Sequence, residues 1–82
     1  MPLETLRTAG NKTIGTKQTI KAVQKGLVQV VFVAEDADKQ MVTSLTDLCH
    51  QNQVPVNRVP SMKELGEVCG IQVGAAAAAI LK

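Results

Sequence analysis

The stretch that decides the fold is residues 28–34, VQVVFVA, a nearly continuous run of β-branched and apolar side chains. A run of this kind is typical of a central strand covered on both faces, so helices are expected on either side of it. Phe32 lies inside this run and is expected to be buried. The stretch therefore predicts an α/β domain built around one buried strand.

Before this strand, the pattern predicts an amphipathic helix that follows a short strand at Thr13 and Ile14 and a turn at Gly15. Thr16 suits the N-cap, the helix is expected to run through Lys25, and Gly26 is expected to stop it. The spacing assigns an inner face of Ile20, Val23 and Leu27 and an outer face of Lys17, Lys21, Gln24 and Lys25.

After the central strand, helical and strand signals alternate without a linker. Apolar residues recur at helical spacing from residue 41 to about residue 53, and a strand is expected at residues 54–59. The capping box at residues 61–64, SMKE, predicts a further helix with Gly70 as its stop. Residues 75–81, AAAAAIL, are predicted as a strand, because the alternation of elements outweighs the helix propensity of alanine.

Length and composition predict one small domain over residues 1–82. An apolar fraction of 45% supports one core, which leaves no room for a separate substrate domain. Neither a secretion signal nor an apolar run long enough to span a bilayer is recognisable, so a cytoplasmic location and no membrane partner are expected. Cys49 and Cys69 are isolated and have only His50 as a nearby nitrogen ligand, so buried thiols are expected, with no metal and no cofactor.

Charge is distributed unevenly along the chain. The net charge is only +2, yet residues 1–26 hold five basic residues against one acid, whereas residues 27–82 hold four against six. A basic patch in the first third is therefore expected, and its ordinary alternative is a solvated helix face.

The helix that begins at Gly15 and Thr16 carries the main candidate binding site. The first turn of a helix exposes unpaired N–H groups at the positive end of the helix dipole, an arrangement that suits phosphate. Lys17 and Lys21, four residues apart, add charge on the same face, and the amide of Gln18 can both donate to and accept from a base edge. These features predict nucleic-acid binding.

The scarcity of aromatic residues decides which class of nucleic acid is expected. Modules that read single strands stack bases on aromatic rings, but Phe32 is the one aromatic residue here and is expected inside the core. Structured RNA is therefore the predicted ligand.

Three segments in order resemble the kink-turn-binding ribosomal protein superfamily, and most closely its small bacterial branch, the YbxF-like proteins. They are residues 15–22, GTKQTIKA, residues 61–66, SMKELG, and residues 69–76, CGIQVGAA. The resemblance covers essentially the whole chain. It implies a three-layer α/β/α sandwich with a mixed four-stranded sheet, no catalytic activity, and binding to the kink-turn, a sharply bent RNA duplex with tandem sheared G·A pairs.

The resemblance also implies particular site residues. The recognition segment of the family corresponds to Gly15, Thr16, Lys17, Gln18 and Lys21, and its apolar loop against flipped-out bases corresponds to Ile71, Gln72, Val73 and Gly74. Archaeal and eukaryotic members commonly have asparagine and glutamate where this chain has Lys17 and Gln18. A neutral amide accepts more weakly than a carboxylate but can also donate, so this difference bears on both the affinity and the preferred base pairs. An ordinary helix-to-strand turn, with Ile71 and Val73 partly buried, is the alternative for the loop.

Two other functions compete with this prediction. Glu35, Asp36 and Asp38 follow the central strand, where a magnesium or phosphate-accepting site would lie, but they are also explained by a solvated turn with Asp38 capping the next helix. The second alternative is a ribosome-associated structural or protein-interaction module without independent kink-turn binding. The predicted partners are kink-turn RNA and, as a further candidate, the ribosome, and a monomer is expected.

Overall fold

The computed structural model describes residues 2–82, with side chains from residue 4 onward. Helices and strands alternate along this part of the chain. Their bounds are α1 (Pro2–Thr8), β1 (Lys12–Ile14), α2 (Thr16–Gln24), β2 (Val28–Ala34), α3 (Lys39–Gln51), β3 (Val56–Val59), α4 (Met62–Cys69) and β4 (Ala77–Leu81).

The strands form one mixed sheet in the order β1-β4-β2-β3. β2 is central, parallel to β3 and antiparallel to β4, and Val31 lies opposite Val56 on one side and Ala79 on the other. β1 pairs antiparallel with β4. α1 packs beside α4, and α2 packs beside α3, so the sheet lies between two helical layers. The predicted three-layer sandwich with a mixed four-stranded sheet is confirmed.

The core lies on both faces of the two central strands. Phe32, Leu6, Leu45 and Leu65 are its largest fully buried side chains. The alanines at residues 77–79 are also fully buried, although consecutive residues of a strand point to opposite faces. Their small side chains fit beneath both helical layers, so the predicted strand is confirmed, with its first residue at Ala77 rather than at Ala75.

Side-chain caps define where two of the helices begin. The Asp38 carboxylate accepts from the Gln40 N–H at 2.9 Å, and the Ser61 hydroxyl accepts from the Glu64 N–H at 3.1 Å. Gly70 ends α4 in the left-handed conformation, with φ of 81°. The predicted caps at Asp38, Ser61 and Gly70 are confirmed.

Three predictions for α2 are wrong: its N-cap, its end at Lys25 and the placement of Leu27 on its inner face. Gly15 is the N-cap, and Thr16 is already the first residue of the helix. Leu27 is 49% exposed, because the helix ends at Gln24 and Gly26, with φ of 72°, turns the chain away from the helical path. The other two predicted positions are confirmed, since Val23 is fully buried and Ile20 is partly buried against the core, and Thr19 and Ala22 complete the buried face.

The edge strand β3 begins later than predicted. Pro55 has no N–H to donate, and its carbonyl accepts from the Val31 N–H at 3.0 Å at the entrance to the strand. Regular pairing with β2 therefore starts at Val56.

Candidate nucleic-acid interface

Backbone hydrogen bonds bring the two predicted site segments together at one end of the sheet. The Gly15 N–H, at the start of α2, donates to the Ala77 carbonyl at 2.8 Å, and Ala77 is the first residue of β4. The loop before β4 is tied to the end of β2, because the Ala34 N–H donates to the Ala76 carbonyl at 2.9 Å. Residues 15–21 and residues 71–74 therefore border the same end of the molecule.

The start of α2 is open to a ligand. Gly15 makes no side-chain cap, and the first helical bond joins the Thr19 N–H to the Gly15 carbonyl at 3.1 Å. The N–H groups of Thr16, Lys17 and Gln18 precede that bond and have no partner among the described residues. By contrast, α3 and α4 both begin with side-chain caps. The positive end of the α2 dipole is thus free to bind an anion.

Three exposed lysines follow this open start, two within α2 and one at its C-cap. Lys17, Lys21 and Lys25 are spaced four residues apart on one helix face, and none of them forms an ion pair with a described residue. The other two basic residues of the first third make contacts within the protein. The Lys12 Nζ donates to the Leu6 carbonyl at 3.3 Å, and Arg7 lies 3.9 Å from Glu4. Within the first third of the chain, the basic side chains without a partner in the described part of the protein are therefore those of Lys17, Lys21 and Lys25.

A pair of hydroxyl groups, one of them fully buried, fixes α2 against the sheet. Thr19 is fully buried, and its Oγ1 lies 3.0 Å from the Thr13 Oγ1 on β1. Because a buried hydroxyl needs a partner, this bond sets the rotation of the helix about its axis. That rotation turns Lys17, Gln18 and Lys21 towards solvent.

The second segment is an exposed loop with a single anchored side chain. Ile71 is partly buried and packs against the core. Gln72, Val73 and Gly74 are exposed, and the Val73 side chain is 71% accessible. The alternative of an ordinary turn with Val73 partly buried is therefore wrong for Val73, whereas it describes Ile71.

The backbone of this loop lies directly on α4. The Ile71 N–H donates to the Gly66 carbonyl and the Ala75 N–H donates to the Met62 carbonyl, both at 3.0 Å. A Cβ at Gly66 would overlap the Val73 carbonyl oxygen, so this approach requires glycine. Val73 thus projects from a backbone that is held in place rather than from a loose turn.

The acidic turn after β2 serves as a capping element. Asp38 caps α3, and the Asp36 Oδ1 accepts from the Met62 N–H at the start of α4 at 2.8 Å. Glu35 lines a cavity of about 380 Å³ between α3 and the end of β3, together with basic side chains and threonine hydroxyls. The lining consists of Glu35, Ala37, Lys39, Val42, Thr43, Thr46, Asp47 and Arg58. The helix caps account for Asp36 and Asp38, in line with the solvated-turn alternative.

Sequence reasoning missed two residues of this end of the molecule. Met62 lies beside the loop, where a Cβ at Gly74 would be 3.0 Å from the Met62 Cβ, and its side chain is 36% exposed. Asp36 reaches α4 across 26 residues of sequence. The capping box marked the position of Met62, but no local pattern could reveal the bond from Asp36.

The described residues offer few further groups that could form a metal site or a reactive thiol. Within residues 2–82, no group of three or more His, Cys, Asp or Glu side chains could hold a metal ion. Burial raises the pKa of the Cys49 thiol, and it also raises the pKa of the Cys69 thiol, where the charge of Lys12 opposes the rise. Among the described helices, none has the length and apolar character to cross a membrane.

The fold and this end of the sheet define a class of small α/β/α domains with a basic helix start beside an exposed apolar loop. The chain belongs to the ribosomal protein L7Ae/L30e/S12e/Gadd45 family, whose model matches residues 2–82. This membership confirms the resemblance predicted from the three sequence segments.

Individual proteins agree with the family assignment. The chain is 50% identical, over the full 82 residues of both proteins, to the RNA-binding protein YbxF of Geobacillus stearothermophilus. It is equally similar, over the same span, to the RNA-binding protein GK0100 of Geobacillus kaustophilus, with 50% identity over 82 residues. The structure of the Giardia lamblia 15.5kD RNA binding protein superposes with a TM-score of 0.86 at 27% identity, covering 98% of this chain and 68% of that one.

Proposed function

We propose that this protein is a non-catalytic RNA-binding protein that recognises and stabilises kink-turn RNA with tandem sheared G·A pairs. The observation that carries the proposal is that the open, lysine-bearing start of α2 and the exposed loop at residues 71–74 border the same end of the sheet, where the Gly15 N–H donates to the carbonyl of Ala77, three residues after the loop. Family membership and relatives named as RNA-binding proteins support the same ligand class.

The two segments have different roles in this proposal. The open amides of Thr16 to Gln18, together with Lys17 and Lys21, neutralise phosphates that the kink brings close together. The Gln18 side chain makes directional contacts to the G·A pairs, because its amide both donates and accepts. The loop, with Val73 outermost, covers a base that the bend removes from the stack.

Binding acts on the RNA by selecting a shape. Free RNA populates the bent form incompletely because bending crowds its phosphates, and a protein that prefers the bent form shifts the population towards it. This process requires no chemical step, metal or cofactor. We propose a cytoplasmic location. We also propose that the protein acts as a monomer, since one chain supplies both the helix start and the loop that the proposal uses.

The test is a titration of the protein into a kink-turn RNA and into a duplex whose G·A pairs are converted to Watson–Crick pairs, each at two salt concentrations. We expect tight binding to the kink-turn alone. Equal and steeply salt-dependent binding to both RNAs would reduce the interface to a basic patch. Binding to neither would favour a ribosome-associated or protein-interaction module of the same fold.

A further inference from the structure

A closed ring of hydrogen bonds holds the two residues that directly follow the loop at residues 71–74. At one side of the loop the Ala34 N–H donates to the Ala76 carbonyl at 2.9 Å, and the Ala75 N–H donates to the Met62 carbonyl at 3.0 Å. The ring closes where the Met62 N–H donates to the Asp36 Oδ1 at 2.8 Å, since Asp36 lies two residues after Ala34. Asp36 supplies the one side-chain link in this ring.

Met62 is the point where the ring and the loop meet. Its carbonyl holds Ala75, its Cβ lies against Gly74, and its N–H is fixed by Asp36. A change in the position of Met62 therefore moves the backbone on which Val73 stands. Val73 is 71% exposed and is not anchored by its own side chain, so its position depends on this backbone.

We propose that Asp36 is a positioning residue for RNA binding, which orients the loop at residues 71–74 through Met62 without touching the RNA. The inference rests on the proposed function of the same site. A loop that is ordered before binding loses less conformational entropy on binding, so the bond from Asp36 raises affinity for the part of the RNA that the loop contacts. In this role the Asp36 carboxylate matters as a hydrogen-bond acceptor for Met62, and its negative charge does not contribute to RNA binding.

Two substitutions separate the acceptor from the charge. Asp36→Asn keeps an oxygen that can accept from Met62 and removes the charge, so we expect binding at least as tight as that of the unmodified protein. Asp36→Ala removes both, and we expect kink-turn affinity to fall about two- to thirtyfold, the range that corresponds to the loss of a helix cap. If Asp36→Ala does not fold, Asp36→Gln, which displaces the acceptor by one methylene, replaces it.

The matched control is Asp38→Ala. Asp38 also caps a helix, through the Gln40 N–H at 2.9 Å, and its removal eliminates one carboxylate from the same turn, but it has no bond to α4. We expect Asp38→Ala to leave kink-turn affinity unchanged or slightly improved. In hydrogen-exchange measurements, Asp36→Ala should accelerate exchange of the Met62 and Ala75 amides, whereas Asp38→Ala should not.

A second RNA tests whether the effect passes through the loop. In a kink-turn whose flipped-out nucleotide is abasic, the loop has no base to cover, so Asp36→Ala should bind as the unmodified protein does. Equal affinity losses from Asp36→Ala and Asp38→Ala, or an Asp36→Ala loss that persists on the abasic RNA, would overturn the role of Asp36. An unmodified protein that does not prefer the kink-turn would instead overturn the proposed function itself.

Discussion

Gly15 holds a backbone conformation that is essentially restricted to glycine, with φ of 103° and ψ of 154°. The residue makes a 2.8 Å bond to the Ala77 carbonyl through its N–H and begins α2 through its carbonyl. There is open space around it for a Cβ, so the restriction comes from the backbone angle and not from a clash. The junction between the two site segments therefore depends on the absence of a side chain at residue 15.

Replacement of this glycine tests that dependence. We expect Gly15→Ala to lower the free energy of unfolding by about 1–3 kcal/mol and to weaken RNA binding, because relief of the strain moves the amides of Thr16 to Gln18. The measurement is urea denaturation together with the RNA titration. Gly10→Ala is the control, since Gly10 also has open space but no positive φ, and its change should stay within about 1 kcal/mol. Equal effects at the two glycines would contradict this account.

Gln18 and Lys21 are predicted to contribute differently to binding. Gln18→Ala should reduce discrimination between G·A and Watson–Crick pairs, because the side-chain amide is the group that reads base edges. Lys21→Ala should preserve discrimination and lower affinity. In the unmodified protein, three lysines should give log affinity against log salt a slope of roughly −2 to −3, and Lys21→Ala should make this slope less steep by about 1. The two titrations at several salt concentrations measure both effects. Equal losses of discrimination would contradict this division of roles.

The sequence was informative about which residues of α2 face solvent and less so about which of them are available to a ligand. Helical spacing placed Lys17, Lys21 and Lys25 on the outside, as observed. It could not reveal that the Lys12 Nζ binds the Leu6 carbonyl, because that contact depends on where α1 ends relative to β1. Helical spacing therefore identified the exposed lysines, whereas the contact of Lys12 could be seen only in the structure.

At the scale of elements, α4 and the loop that follows it behave as one unit. The loop returns along the helix, with bonds from Ile71 to Gly66 and from Ala75 to Met62, both at 3.0 Å. Gly66 is buried in the middle of α4, where glycine is unfavourable for the helix by about 1 kcal/mol relative to alanine. The close approach of the Val73 carbonyl explains why alanine is not accommodated there.

Gly66→Ala is expected to destabilise the fold despite its better helix propensity. The new methyl group would overlap the Val73 carbonyl oxygen, and such overpacking typically costs about 1–3 kcal/mol, more than the propensity gain. Urea denaturation measures the cost, and amide chemical shifts of residues 70–76 should move with it. Glu67→Ala, at the next and exposed position of the helix, is the control and should be nearly neutral. A more stable Gly66→Ala protein would contradict the proposed clash.

Elements were predictable where local signals agreed and less so where the deciding contact was distant. The Ser61 cap and the left-handed Gly70 gave the bounds of α4 from the sequence. Leu27 was placed on a helix face because the pattern continued past the point where Gly26 turns the chain. The bond from Asp36 to Met62 joins residues 26 apart, so no window of sequence contains it.

At the scale of the whole molecule, the layered architecture followed from the order of elements, but the identity of the site did not. Alternating helices and strands around a buried β2 imply helical layers on a sheet. The strand order β1-β4-β2-β3 places the start of α2 beside the beginning of β4, and this adjacency brings residues 15–21 to residues 71–74. Only the family resemblance connected those segments in advance, because they are separated by most of the chain.

Each helical layer contains one buried thiol, because Cys49 lies in α3 and Cys69 lies in α4. Burial raises the pKa of each thiol above its ordinary value of 9.0, so the folded state holds these protons more tightly than the unfolded state does. The stabilisation that this difference provides is fully present below the unfolded-state pKa and is lost as pH rises through the folded-state pKa.

We therefore expect the thiols to reduce stability only in alkaline solution. The free energy of unfolding should fall as pH is raised above about 9. It should fall less steeply in a Cys49→Ala, Cys69→Ala double variant, where the change with pH is measured relative to that variant's own stability at neutral pH. Urea denaturation between neutral pH and pH 10 measures both slopes. At neutral pH, a thiol reagent should modify each cysteine slowly in the native protein, at a rate that urea accelerates, because each thiol becomes reactive only when the layer that covers it opens. Parallel slopes in the two proteins would show that the thiols do not cause the loss of stability at alkaline pH. Rapid labelling of one cysteine in the native state would contradict the burial of that thiol.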